Sequence, residues 1–187
     1  MKKITLGLIV LSAFLSGCES MSPSECATAN WRGQGIQDGS RGRPDSAADY
    51  HASCAKAGIS MDVASYRAGR AEGLQSYCRL NNAINEGLAG HSYNEVCPLP
   101  GGQDFKVFHA TAYREQEARK TLARLQNEQK QWERELLDDK TPAPRKVTLR
   151  DQLSRSDRHI ADARDDLRSA QHRLDRLRSE LRQQGLD

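Results

Sequence analysis

Leu149, Leu153, Ser156, Ile160, Ala163, Leu167, Ala170, Leu174, Leu177 and Leu181 follow one another at alternating steps of four and three. That spacing lays a narrow stripe of small and apolar residues along one helix face, the seam of a coiled coil. The positions between are almost all polar, with Ala161 the exception, so the stripe has room for one partner helix. A matching stripe lies upstream in Phe108, Thr111, Glu115, Ala118, Leu122, Leu125, Gln129, Trp132 and Leu136. Pro142 and Pro144 stand between the two and are expected to stop both helices.

Folding the two segments back about the bond between Pro142 and Ala143 gives an antiparallel hairpin with helices over about 104–137 and 148–184. Trp132 then meets Leu153, Leu125 meets Ile160, Leu122 meets Ala163, Ala118 meets Leu167 and Phe108 meets Leu177. Large faces small in two of these layers, which suits a packed core. Gln129 faces Ser156, a polar layer that can fix register at some cost in stability. Glu115 fits poorly opposite Ala170, and its carboxylate is expected to turn out to solvent. The paired seams run for about 33 residues, hence a hairpin roughly 50 Å long. A parallel homodimer of the last helix is the competing arrangement, and it would leave the upstream seam without a partner.

The start of the chain carries a different signal. Lys2 and Lys3 precede an apolar run from Ile4 to Leu15, too short for a permanent membrane span of about 20 residues, so residues 1–17 are expected to be a cleavable signal peptide. Leu15-Ser16-Gly17-Cys18 resembles a lipobox, which makes Cys18 the expected lipidated N-terminus and the point of attachment to a membrane. By the usual sorting convention Glu19, in place of aspartate, favours the outer membrane, with the chain facing the periplasm. Each buried acyl methylene contributes about 0.8 kcal/mol, and several chains together hold firmly.

Past residue 17 the chain holds 26 lysines and arginines against 25 acids. Near-neutrality removes the concentrated positive field that a nucleic-acid partner would require. Aromatic residues make up 5% and the mean hydropathy is −0.77, so no large globular core is available. Cys26, Cys54, Cys78 and Cys97 all fall within the first hundred residues. An even number in an exported chain reads as two disulfides. A zinc site is the rival, but there is no CxxC spacing to support it.

The chain divides near Pro98-Leu99-Pro100-Gly101-Gly102, giving a disulfide-containing module over 18–100 and the hairpin over 101–187. Within the module four short helices are expected at roughly 24–41, 45–57, 61–78 and 80–90, with Gly58 as a stop and Ser60 or Asp62 as a cap. Small residues recur four positions before glycines in Gly35/Gly39, Gly69/Gly73 and Ala83/Gly87. Each glycine costs about 1 kcal/mol of helix propensity relative to alanine, so something must compensate. Close helix packing is one explanation, and a ligand pocket lined by Asp38, Tyr66, Arg67, Arg70 and Glu72 is the other. If the second and third helices form a hairpin about Gly58, Cys54 lies near the turn and Cys78 at the far end, roughly 25 Å away and beyond bridging distance. The expected pairs are therefore Cys26 with Cys54 and Cys78 with Cys97.

Several residues in this stretch also carry a family likeness. They are Gly35 with Asp38-Gly39, Tyr50 with Cys54, Tyr66-Arg67-Ala68-Gly69-Arg70 with Gly73-Leu74, Tyr77-Cys78, and Tyr93 with Cys97. From Trp31 to Cys97 the chain resembles a family of short proteobacterial lipoproteins catalogued as a domain of unknown function. The resemblance implies an envelope location and a disulfide module, and brings no activity with it.

No two of His51, His91, His109, His159 and His172 stand at metal-ligand spacing on one helix, and no GxSxG, HExxH, P-loop or dinucleotide fingerprint occurs. Nine arginines between Arg150 and Arg182 are interleaved with seven acids, the pattern of a solvated surface laced with ion pairs. The expectation is an all-α chain without catalytic site, metal or cofactor: a non-enzymatic envelope lipoprotein whose hairpin meets another envelope protein. The alternative is a periplasmic module that binds a cell-wall fragment or similar polar ligand in the glycine-rich half.

Overall fold

The computed structural model describes residues 21–185, so the expected signal peptide, Cys18 and Glu19 lie outside the described residues. Among the described residues all regular structure is helical, in seven helices. These are α1 (Pro23–Thr28), α2 (Trp31–Ser40), α3 (Ala47–Ala55), α4 (Val63–Tyr77), α5 (Leu80–Ala89), α6 (Gly101–Leu137) and α7 (Ala143–Gln184). None of them is long and apolar enough to cross a membrane.

The single helix expected over 24–41 is two. Ser22 and Glu25 form a reciprocal capping box at the start of α1, and Ala29 then turns to an extended backbone. Asn30 restarts the helix by accepting a hydrogen bond from the Gly33 N–H at 3.0 Å. A short polar side chain that offers its oxygen to a free helix-end N–H stabilises a new start more than it would a continuing turn. Asp62, not Ser60, caps α4 through the Ser65 N–H at 2.9 Å, and Gly58 adopts φ +71° after α3.

α2 and α4 pack backbone against backbone, and the paired glycines are the reason. A Cβ at Gly35 would strike the Tyr66 carbonyl and one at Gly39 the Arg70 carbonyl. Gly69 and Gly73 are pressed in the same way on the carbonyls of Arg32 and Ile36. Any side chain at these four positions would drive the helices apart, which is what offsets the propensity cost of glycine. The third pair serves another interface: Ala83 is fully buried, and Gly87 lies against the backbone of His109 on α6.

Both expected disulfides are present, Cys26 with Cys54 and Cys78 with Cys97, each with Cα atoms 5.6 Å apart. The first ties α1 to the end of α3. The second draws the loop after α5 back to the end of α4. Closed loops of this length contribute roughly 3 to 4 kcal/mol each in the chain-entropy account.

The long helices form the expected antiparallel hairpin. Every residue of both seams is buried or half-buried, whereas Ala161 is exposed. Gln129 Nε2 donates to Asp157 Oδ1 at 2.6 Å, one residue from the expected Gln129–Ser156 layer, so the register holds. The ends differ from expectation: α6 begins at Gly101 and α7 at Ala143, and the chain reverses over 138–142 instead of about the Pro142–Ala143 bond. Pro142 is the residue before the helix and Pro144 lies in its first turn, where a missing N–H costs nothing. Arg145 clamps Glu135 through two bonds of 2.7 and 2.8 Å across this turn, and Thr141 Oγ1 donates to the Glu135 carbonyl at 2.6 Å.

Two apolar clusters result. One gathers Ala47, Tyr50, Met61 and Tyr66 with Trp31 and Val63 against it. The other runs through Leu74, Tyr77, Ala83, Ile84, Cys97, Phe105, Phe108, Ala112, Leu174 and Leu181. This second cluster crosses the Pro98–Gly102 break, so α4 and α5 share a core with the base of the hairpin.

Candidate functional site

Of the five residues singled out for a pocket, the structure brings Asp38 and Tyr66 into direct contact, half-buries Arg70 and leaves Arg67 and Glu72 exposed. Asp38 has no solvent exposure. Its carboxylate accepts from Tyr50 Oη at 2.9 Å, Tyr66 Oη at 3.1 Å, Gln34 Nε2 at 3.3 Å and Arg43 Nη1 at 3.2 Å. Burial pushes the Tyr66 hydroxyl up to about 12, with the Asp38 charge and hydrogen bond adding to it. Burial also raises Tyr50, again with help from Asp38. Both phenols therefore stay protonated as donors through the ordinary pH range. A carboxylate so enclosed fastens α2, α3 and α4 together, since buried charge is tolerated only when its lone pairs are taken up.

Arg70 Nη2 donates to the Arg43 carbonyl at 2.8 Å, while its Nε is buried without a partner. Arg67 pairs with Asp45 at 3.0 Å, and Glu72 with Arg32 at 2.7 Å. These two pairs are solvent-exposed and contribute little to stability. Asp38 and Tyr66 thus join α2, α3 and α4 directly, and four sizeable clefts among the described residues are lined by other residues.

One of the four, about 340 Å³, lies beside an aromatic run on α6 and is lined by Tyr93, Lys106, His109, Tyr113 and Arg114. Phe105, His109 and Tyr113 stack at successive four-residue steps, with ring centroids 6.2 and 6.0 Å apart. Burial holds the His109 ring in place, and its Nε2–H donates to the His91 carbonyl at 3.0 Å. Another cleft, about 310 Å³, lies where α5, α6 and α7 meet and has Glu115 in its wall. Glu115 corrects an expectation, because its side chain is 2% exposed instead of turned to solvent. The reason is the third helix: α5 lies along α6 here and contributes Leu88 to the same cleft, so the flank of a two-helix seam becomes the interior of a three-helix contact.

Farther out the hairpin changes character. The apolar cluster ends at Ala112 on α6 and Leu174 on α7. Beyond Glu115 no residue of α6 is fully buried, and only the seam of α7 is. At the free end Leu137 is 80% exposed and Val147 64% exposed, on either side of the turn that Glu135 and Arg145 clamp. Neither residue belongs to the seam, and that off-seam apolar character is the signal in the sequence that could have marked them. Along the flank of α7, Arg155 with Asp151, Arg168 with Asp165 and Arg178 with Asp175 are paired within the helix, the ion-laced surface expected of the arginine-rich segment.

No group of histidines, cysteines and carboxylates among the described residues is arranged to hold a metal ion. No curated protein and no solved structure matches the chain. Residues 30–116, which take in α2 to α5 and the base of α6, match the family described as "Protein of unknown function (DUF2799)".

Proposed function

We propose that this protein is a non-enzymatic cell-envelope lipoprotein, tethered to the outer membrane through Cys18, whose hairpin reaches into the periplasm and meets another envelope protein with its free end. The observation that carries this reading is the exposure of Leu137 and Val147 at that end. Two large aliphatic side chains left in water beside a clamped, charged turn are poorly placed for stability and well placed for contact, since protein interfaces keep an apolar centre within a polar rim. A helix of 37 residues is about 55 Å long, which gives the contact reach away from the anchored base.

The test is photo-crosslinking in living cells with a probe at exposed Ala143 beside the tip and another at exposed Arg158 on the flank. A discrete adduct to one envelope protein from Ala143, lost in a Leu137→Ser, Val147→Ser double variant, is the expected result. Self-adducts alone at both positions would sink the interaction role.

A further inference from the structure

The cleft of about 340 Å³ beside α6 has one wall in the loop over residues 91–97, and three bonds fix that loop. Cys97 is joined to Cys78, the Cys97 N–H donates to Tyr93 Oη at 3.1 Å, and the His91 carbonyl accepts from His109 Nε2 at 3.0 Å. Within the loop Glu95 takes φ +54°, an uncommon conformation for a residue with a side chain, and its carboxylate pairs with Lys106 of α6. Such strain persists only where surrounding contacts impose it, and it gathers at ligand sites. A wall fixed before binding also lowers the ordering cost of association.

Inside the cleft, Tyr93 and Tyr113 are half-buried and flank the His109 ring, with centroids 5.7 and 6.0 Å from it. The His91 carbonyl can only accept, so Nε2 carries the proton and the neutral ring keeps its lone pair on Nδ1. Nδ1, the Tyr113 hydroxyl and the Arg114 guanidinium have no hydrogen-bond partner among the described residues, and none of them is sealed from solvent. The matching occupant lays an apolar ring face on the tyrosines, donates a proton to Nδ1 and presents an acceptor to Arg114. A hydroxyl-bearing ring meets all three demands, whereas a flat aromatic anion has no donor for Nδ1. We infer that this cleft binds one pyranose residue of an acidic saccharide, with a ring hydroxyl donating to His109 Nδ1 and the sugar carboxylate on Arg114. Sugar C–H bonds suit the electron-rich tyrosine faces, and the volume, near the lower end of small-molecule sites, suits a single ring. The site lies at the base of the hairpin and shares no residue with the exposed tip.

The experiment is a heteronuclear NMR titration of the full mature chain with methyl glucuronide at millimolar concentrations. Two probes accompany it: methyl glucoside, which lacks the carboxylate, and benzoate, which keeps a ring and a charge but has no hydroxyl. Saturable shifts centred on Tyr93, His109 and Tyr113 are expected for the glucuronide, with affinity lower on the order of tenfold for the glucoside and for Arg114→Gln. Arg114→Gln should leave the glucoside unchanged, because only the carboxylate meets Arg114. The Nδ1 resonance of His109, read in a long-range imidazole spectrum, should move with both sugars and stay in place with benzoate. Absence of saturable shifts, or a motionless Nδ1 resonance at saturation, would overturn the assignment. Equal binding of benzoate would overturn it too, by showing a site for any flat anion, and equal binding of the glucoside would remove the acidic class. Tyr113→Ala should abolish binding; should that variant fail to fold, the exposed Arg114→Gln and the three probes decide alone.

Discussion

Gly35 and Gly101 are the same residue with opposite duties. At Gly35 an added methyl would strike the Tyr66 carbonyl, part of a helix backbone that cannot move alone, whereas at Gly101 nothing lies within 4 Å. Gly35→Ala should therefore cost about 2 kcal/mol by overpacking, while Gly101→Ala should raise stability by about 0.5 kcal/mol through the unfolded chain. Urea midpoints for the two variants would settle the point, and a neutral Gly35→Ala would contradict backbone contact between α2 and α4. The buried tyrosines of the two apolar clusters make a second claim at this scale. Burial raises Tyr66 to about 12 and Tyr77 likewise, against 10.0 for a free tyrosine. The sign follows from linkage: a raised folded value favours the protonated native state, so the contribution is complete below pH 10 and is lost as pH rises from 10 toward 12. Phenolate absorbance and helical circular dichroism should accordingly change together in that window, and phenolate forming fully near pH 10 with the helices intact would refute the enclosure. The glycine spacing was visible in the chain, and so was the candidacy of Asp38 and Tyr66. That they fasten the interior required knowing that Tyr50, Gln34 and Arg43 converge on the same carboxylate.

Among elements, the hairpin has a base and a free arm of different stability. Leu181 belongs to the cluster shared with α4 and α5, whereas Leu149 is buried only by the opposing helix. Leu149→Ala should cost about 2 to 3 kcal/mol, spent locally, so that amide exchange accelerates around residues 131–155 while the global unfolding midpoint barely moves. Leu181→Ala should lower the global midpoint. Equal effects of both substitutions on the global transition would mean that the arm and base unfold as one unit. The seam itself was legible residue by residue, because a period of three and four is a local property of the chain. Glu115 was misjudged since the sequence describes a pair of helices, and a third one covers that flank.

For the whole molecule, the break at Pro98–Gly102 interrupts the sequence but not the core. A chain stopped at residue 100 would expose Leu74, Tyr77 and Ile84, and it should lose cooperative thermal unfolding. Removing the facing heptads 122–128 and 157–163 instead keeps both seams in register, shortens the arm by about 10 Å and should leave a cooperative, fully helical protein. Circular dichroism melts of the two truncations distinguish these outcomes, and a cooperative melt of the 100-residue chain would argue for an autonomous module. What the sequence determined by itself was everything set by short-range spacing: the helical class, the seams and their pairing, the glycine faces and, from helix length, which cysteines could meet. What only the tertiary structure decided was the use of those features: α2 against α4, α5 against α6, Asp38 among its donors, and Glu115 buried where α5 covers the flank of the hairpin. Such placements depend on which long-range contacts exclude water at lowest cost, a property of the assembled chain that no local window contains.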